Sequence, residues 1–450
     1  MLVLIYKNNL DHLLMKKTLL SAALFAVCVA ASAQKITYVP YTDNPILTGT
    51  TISENGRYLA GPDIEGRVFI YDTETGKLKM FQSPSLDDEN AGIEAWADIR
   101  SVTNDGVGYG DVDAKSAKFD FATGKYNYLL DESVEDYSLV HYATADGKFN
   151  CGVTYNDAYI QHPYVMKDGK MSYLPELTDE WTGYETNGFI ANGANKDGSV
   201  IFGSVIDNFA SYPLVVWTLN RDGQTYSISQ LSKRFFDGSL DLDGVQPYDI
   251  FTGSAISSNS KWIAVSYHKK MVDADSEDAN LIGRYNVETD VFDTLTCPNA
   301  SADLAYYATS VTDDGTILGI AEVGGSSRNA VICKAGETEF KNLSAVYPTI
   351  TDFSAMETNG FLQANSITPD GRYIVGYGYK DYDDDNYCFA TWCLDTQAEA
   401  TGVEGVADAS KQSKVVASYT VDGKKLNRPT MRNELVINRF ANGKVKKMVK

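Results

Sequence analysis

The stretch Ser366-Ile-Thr-Pro-Asp-Gly-Arg-Tyr-Ile-Val-Gly-Tyr-Gly378 is one copy of a unit that this chain repeats. It reads as a strand, a tight Asp-Gly turn and a second strand ending in small residues. Glycine suits such a turn because it takes positive φ without a Cβ clash. After the turn, Tyr373, Val375 and Tyr377 alternate with Ile374 and Gly376, which is strand periodicity. Earlier copies turn at Gly56, Gly106, Gly147, Gly198 and Gly315, and a further copy has Ser260 where glycine is usual. From Gly56 the steps between successive turns are 50, 41, 51, 62, 55 and 56 residues. A period of this size with several strands per unit predicts an all-β propeller.

A second turn follows within each unit. Phe69-Ile-Tyr-Asp-Thr-Glu-Thr-Gly-Lys-Leu-Lys-Met80, Phe119-Asp-Phe-Ala-Thr-Gly-Lys-Tyr126, Val165-Met-Lys-Asp-Gly-Lys-Met171 and Val215-Val-Trp-Thr-Leu-Asn-Arg-Asp-Gly-Gln224 show it clearly, and Tyr285–Phe292 more weakly. With these two turns the chain resembles the seven-bladed β-propellers built from TolB-like repeats, in which a Ser-Pro-Asp-Gly turn joins the first two strands of a blade. The resemblance covers roughly residues 45–400 and implies a seven-bladed β-propeller over residues 34–401. It implies little about activity, because one fold hosts many unrelated functions. The seventh unit loses its pattern after Asp395, so Lys35-Ile-Thr-Tyr-Val-Pro-Tyr41 is expected to supply its missing outer strand and leave no open edge.

The ends differ from the middle. Met15-Lys-Lys-Thr-Leu-Leu and the apolar run to Ala30, followed by Ala31-Ser-Ala33, read as a signal peptide over residues 1–33, with Met15 as the initiator and Gln34 as the mature start. No other stretch is apolar enough to cross a membrane as a helix, so an exported chain is expected, in the periplasm, on the cell surface or outside the cell. The tail, residues 402–450, holds Val415–Leu426 around an Asp-Gly and Glu434–Val449 around an Asn-Gly. It resembles the C-terminal sorting segments of proteins exported by the Bacteroidetes type IX system, which implies contact with that secretion machinery. The alternative is a small β module of structural use only.

Formal charge is −21 for the whole chain, and residues 34–401 alone carry −30 against +7 for the tail. Nucleic acid and anionic lipid need a basic face, so neither is an expected partner. Cations, basic peptides and neutral glycans remain. No Gly-x-Ser-x-Gly elbow, phosphate loop, dinucleotide fingerprint or cysteine–histidine zinc spacing occurs. No organic cofactor is implied, while the acids leave room for a divalent cation. Asp237, Asp241 and Asp243 lack the closing glutamate of a calcium loop and read as a solvated loop. Five mature cysteines read as small buried hydrophobes.

Candidate site residues come from the segments that precede the first strands. Tyr184-Glu-Thr-Asn-Gly-Phe189 and Met356-Glu-Thr-Asn-Gly-Phe361 are near copies, and Ile93–Arg100 and Ala305–Tyr307 hold matching places. Such segments cross from one blade's rim to the next blade's axis, so Trp96, Tyr184, Glu185, Asn187, Tyr306, Tyr307, Glu357 and Asn359 are expected near the central mouth. His141 and His268 are expected close by, with the acidic loops 273–278 and 381–385 at the rim. The plain alternative is that these aromatics pack between blades. The expected function is a binding protein for a glycan, peptide or protein ligand at that mouth. A lyase or glycoside hydrolase using the same face, and a purely structural module, are the rival readings; no catalytic residue or metal ligand is assigned.

Overall fold

The computed structural model describes residues 34–39, 48–63, 65–85, 96–130, 137–155, 160–177, 186–207, 214–230, 251–269, 279–323, 327–347, 363–383, 386–397, 415–419, 435–440 and 445–449. The chain divides into two compact units, Gln34–Gln397 and a second that contains the tail. In the tail, strands Val415–Tyr419, Leu435–Phe440 and Val445–Val449 form one antiparallel sheet. Among the described residues no helix is long and apolar enough to cross a membrane.

The larger unit is a β-propeller. Blade one comprises Thr51–Ile52, Tyr58–Pro62, Val68–Asp72 and Lys77–Phe81, paired in that order. Blade two runs Ala97–Val102, Val107–Val112, Lys115–Asp120 and Lys125–Tyr128. The third and fourth begin at Tyr137–Ala143 and Thr186–Ala194 and share one parallel pairing, Gln161 with Gly188. The fifth and sixth begin at Phe251–Ile256 and Leu304–Val311. The last has Gln363–Ile367, Tyr373–Asp383 and Asn386–Asp395, and its outer strand is Lys35–Tyr38 from the other end of the unit. Ile36 lies opposite Leu394 and Tyr38 opposite Trp392 in an antiparallel ladder, so the expected closure by the N-terminal segment is present.

Blade-to-blade packing explains why these strands are apolar on both faces. Each blade shares one buried cluster with the next. Tyr58, Ile70 and Phe119 join blades one and two, and Phe149, Phe189 and Trp217 join three and four. The circle closes where Val39, Val375 and Cys393 of the last blade meet Leu59, Phe69 and Tyr71 of the first. Cys151, Cys297, Cys333 and Cys393 are buried free thiols within these clusters.

The turns follow from local side-chain chemistry. Three residues before each turn glycine stands Ser, Thr or Asn, and its side chain accepts the N–H that starts the second strand. Tyr58 N–H donates to Ser53 Oγ, Phe149 N–H to Thr144 Oγ1 and Tyr373 N–H to Thr368 Oγ1. The same hydroxyls donate to the Asn or Asp before the glycine, as Thr144 does to Asp146 at 2.8 Å and Thr368 to Asp370 at 2.6 Å. The glycine then takes positive φ, 74° at Gly56 and 73° at Gly371, and Ser260 is held at 65° in the same place.

The second turn is built on a carboxylate. Asp72 accepts the N–H groups of Glu74 and Thr75 and is bound by Arg57 through two nitrogens. Asp395 and Arg372 repeat the pair in the last blade. The Arg57 guanidinium, with help from the turn amides, holds the Asp72 carboxyl down at about 2. A depressed folded-state value gives stability that is present above the unfolded value and lost as pH falls through the folded one. Wild-type chain should therefore lose more unfolding free energy than Asp72→Asn between about pH 4 and pH 2. Asn286 makes the same turn bonds in blade five, so the substitution leaves the turn intact. Parallel acid limbs in denaturant titrations of the two proteins would refute the assignment.

Candidate functional site

The inner strands enclose a cavity of about 270 Å³ lined by residues from every blade. Its construction rests on a repeated irregularity. Six inner strands carry a register shift, and in each the unpaired residue lies six positions before the turn: Arg100, His141, Asn192, Ser254, Thr309 and Asn365. Thr50 occupies that position in blade one. A bulge leaves one residue out of the ladder and re-aims its side chain. All seven of these residues are polar, and all but His141 line the cavity.

These side chains also tie neighbouring blades together. Thr50 Oγ1 donates to Ile99 O, and Arg100 Nη1 to Val140 O. Thr309 Oγ1 donates to Ala364 O, and Asn365 Nδ2 to Gly49 O at 2.7 Å. His141 Nδ1 meets Asn192 Oδ1 at 3.2 Å, while Asn192 Nδ2 donates to Ser204 Oγ. Two positions nearer the turn the lining is apolar in every blade: Ile52, Val102, Ala143, Ala194, Ile256, Val311 and Ile367. Nearer still stand Glu54, Ala145, Ser258 and Pro369. Ser258 Oγ donates to Glu54 Oε1 at 3.4 Å, a contact between blades five and one across the axis.

Charge is concentrated on two sectors. Arg100 is the lining residue with a positive charge, held by Asp111 at 2.6 Å and Asp98 at 2.8 Å. Burial works against the Arg100 charge, but the two carboxylates outweigh it and raise the guanidinium above its ordinary range. Burial, opposed by Arg100 and reinforced by Asp98, pushes the Asp111 carboxyl up to about 6. Burial first, then Arg100, pushes His141 down to about 3, so its imidazole is neutral at physiological pH. At the other sector burial raises Glu54, and Asp313 and Asp146 add to the rise against Ser258 and Lys196.

The residues named from sequence fall in several places. Trp96 is 45% exposed at the start of blade two, and its carbonyl accepts the N–H of Asp113. Tyr307 is exposed and accepts from Asn280 Nδ2 at 3.3 Å, and Asn280 Oδ1 lies 3.1 Å from His268 Nδ1. Asn280 thus brings His268 and Tyr307 together. Tyr306, its neighbour on the strand, points the other way into the cluster between blades five and six, with its hydroxyl on Pro298 O. His141 belongs to the bulge column, turned toward Asn192. Asn187 lies in strand Thr186–Ala194 with its side chain outside the described residues, and Tyr184, Glu185, Glu357, Asn359 and the loop 273–278 lie outside them altogether. Of the second acidic loop, 381–383 extend a strand. Among the described residues no three His, Cys, Asp or Glu side chains converge as a metal site.

The bulge column and the apolar collar are what sequence reading missed. Both become visible when the seven units are stacked on their turn residue, because the column is then polar throughout and the collar apolar throughout.

No protein-family model matches the chain, and no curated protein does. Solved structures do. One is an oligogalacturonate lyase from Vibrio parahaemolyticus, at 11% identity and TM-score 0.47, covering 81% of this chain and 94% of that one. Another is an oligogalacturonate lyase in complex with manganese, at 12% identity and TM-score 0.48 with the same coverage. A third is TolB from Acinetobacter baumannii, at 14% identity and TM-score 0.39, covering 80% of this chain and 87% of that one.

Proposed function

We propose that this chain is an exported binding protein, a seven-bladed propeller that holds a glycan or peptide ligand at the mouth of its axial cavity. In this reading residues 1–33 are removed as a signal peptide, residues 34–401 form the propeller and residues 402–450 direct sorting. In it Trp96, His268 and Tyr307 contact the ligand on the approach to the mouth, Tyr184, Glu185, Asn187, Glu357 and Asn359 are the further contacts named from sequence, and a divalent cation assists there. One observation carries the proposal: six of the seven blades contribute a polar or charged side chain from the same position to one shared cavity, five of them from a bulge in the ladder. A cavity with a few convergent polar groups is the usual form of a small-ligand site. The chemistry visible at the cavity favours binding over turnover, since its lining guanidinium, Arg100, is engaged by Asp98 and Asp111.

The test is a glycan and peptide binding screen on the full chain, run with and without chelator. Saturable binding that Asn192→Ala or Asn365→Ala weakens supports the proposal. Turnover of a bound glycan would replace it with the enzyme reading, and absence of any binding would refute it.

A further inference from the structure

Along the axis the cavity changes character in a fixed order. The bulge ring comes first, then the apolar collar, then Glu54 at the end nearest the Asp-Gly turns. Successive rings are two residues apart on the inner strands, which advance about 6.6 Å in that interval. The collar offers methyl and methylene surface from all seven blades, with Ile52, Ile256 and Ile367 its largest members. Beyond it Glu54 is the lining carboxylate, and it reaches across the axis to Ser258. Lys196 stands at the equivalent position in blade four, where its backbone N–H donates to Ser258 O and its charge acts on Glu54. Glu54 is partly buried and bonded through one oxygen by Ser258, which leaves it acceptor capacity for a cation delivered along the passage.

We propose that the axial cavity is a receptor for a primary alkylammonium group: the aliphatic stem lies in the collar, the ammonium bonds Glu54 and Ser258, and the polar ring receives whatever carries the stem. The stem must be unbranched and several methylenes long to cross the collar. A lysine side chain, with its four-carbon stem, satisfies that, and so does a free linear diamine. An arginine fits less well, because its planar fork is wider than an ammonium and needs a second acceptor in its plane. The charge of −30 over residues 34–401 attracts either source. This rests on the binding reading above and names its ligand class.

The experiment titrates the full chain by calorimetry with five probes: pentylamine, 1,5-diaminopentane, pentanol, the blocked tripeptide acetyl-Gly-Lys-Gly-amide and its norleucine counterpart. The amines should bind at least tenfold more tightly than their neutral counterparts. Tighter binding of the tripeptide than of the diamine identifies a protein lysine as the source, and the reverse order identifies a free diamine. Glu54→Gln should abolish the tenfold preference while leaving binding of the neutral probes as it was. Ala143→Leu, which narrows the collar and spares Glu54, should weaken all stems together. Equal affinity for pentylamine and pentanol, or a preference that survives Glu54→Gln, overturns the proposal. If the amines fail while the general screen yields a ligand sensitive to Asn192→Ala, the binding reading stands and this inference falls. If both screens are empty, both fall.

Discussion

Removal of residues 34–39 should cost the propeller about 4–6 kcal/mol of unfolding free energy, counted from the apolar side chains it uncovers. Val39 is fully packed in the cluster that joins the last blade to the first, and Ile36 and Tyr38 lie against Trp392 and Leu394. The deletion also strips the ladder from Asn386–Asp395, leaving its outer edge open to water or to another chain. The effect should exceed that of losing any other outer strand of similar length. Lys125–Tyr128, for example, is exposed along much of its length. Urea titration of the truncated chain should show a lower midpoint together with association at high concentration. An unchanged midpoint would mean that the N-terminal strand decorates the ring without closing it.

Much of this fold can be read from sequence because its turns are local. Ser or Thr, any residue, Asp or Asn, then Gly is a complete hydrogen-bonding unit, as Thr368, Asp370 and Gly371 show. Seven such units at propeller spacing leave little else for the chain to do. The closing strand was legible too, since the last unit lacks an outer strand and Lys35–Tyr38 is the unassigned strand-like run before the first turn. The site was far less legible. Aromatic and acidic segments attract attention by composition, but Tyr306 and Tyr307 show how adjacent residues of one strand divide between core and surface. The bulge column contains Thr, Arg, His, Asn and Ser, so no residue type marks it. The bulge also breaks the two-residue alternation at that position, so the side chain's direction cannot be counted from its neighbours. His141 attracted attention as a histidine, while its membership of the column depends on its distance from Gly147.

The bulges in turn depend on glycines in the facing strand, and this dependence carries the second large expected effect. Opposite five of the six bulges the second strand presents a glycine, Gly110, Gly152, Gly203, Gly319 and Gly376, and blade one has Gly61 in the matching place. A Cβ there would fall under 3.0 Å from a carbonyl oxygen of the inner strand, that of Leu139 for Gly152 and that of Gln363 for Gly376. The obstacle is backbone, so no side-chain rotation relieves it. In blade five the pair is exchanged, with Gly253 on the inner strand facing Val265, and one glycine per pair is still kept. The close approach is thus a property of the bulge itself, and alanine must push the inner strand toward the axis. Gly376→Ala should cost about 2–3 kcal/mol, the upper range for overpacking a rigid site. It should also break the Asn365 bond to Gly49 O that links the last blade to the first. Gly152→Ala should behave alike in blade three, where the shifted residue is His141. Denaturant titration measures the cost, and hydrogen exchange at residues 363–367 locates it: faster exchange there, with the distant fourth blade unaffected, is the expected pattern. Wild-type stability in both variants would show that the inner strands accept a side chain opposite the bulge, and the cavity's polar ring would then need another cause.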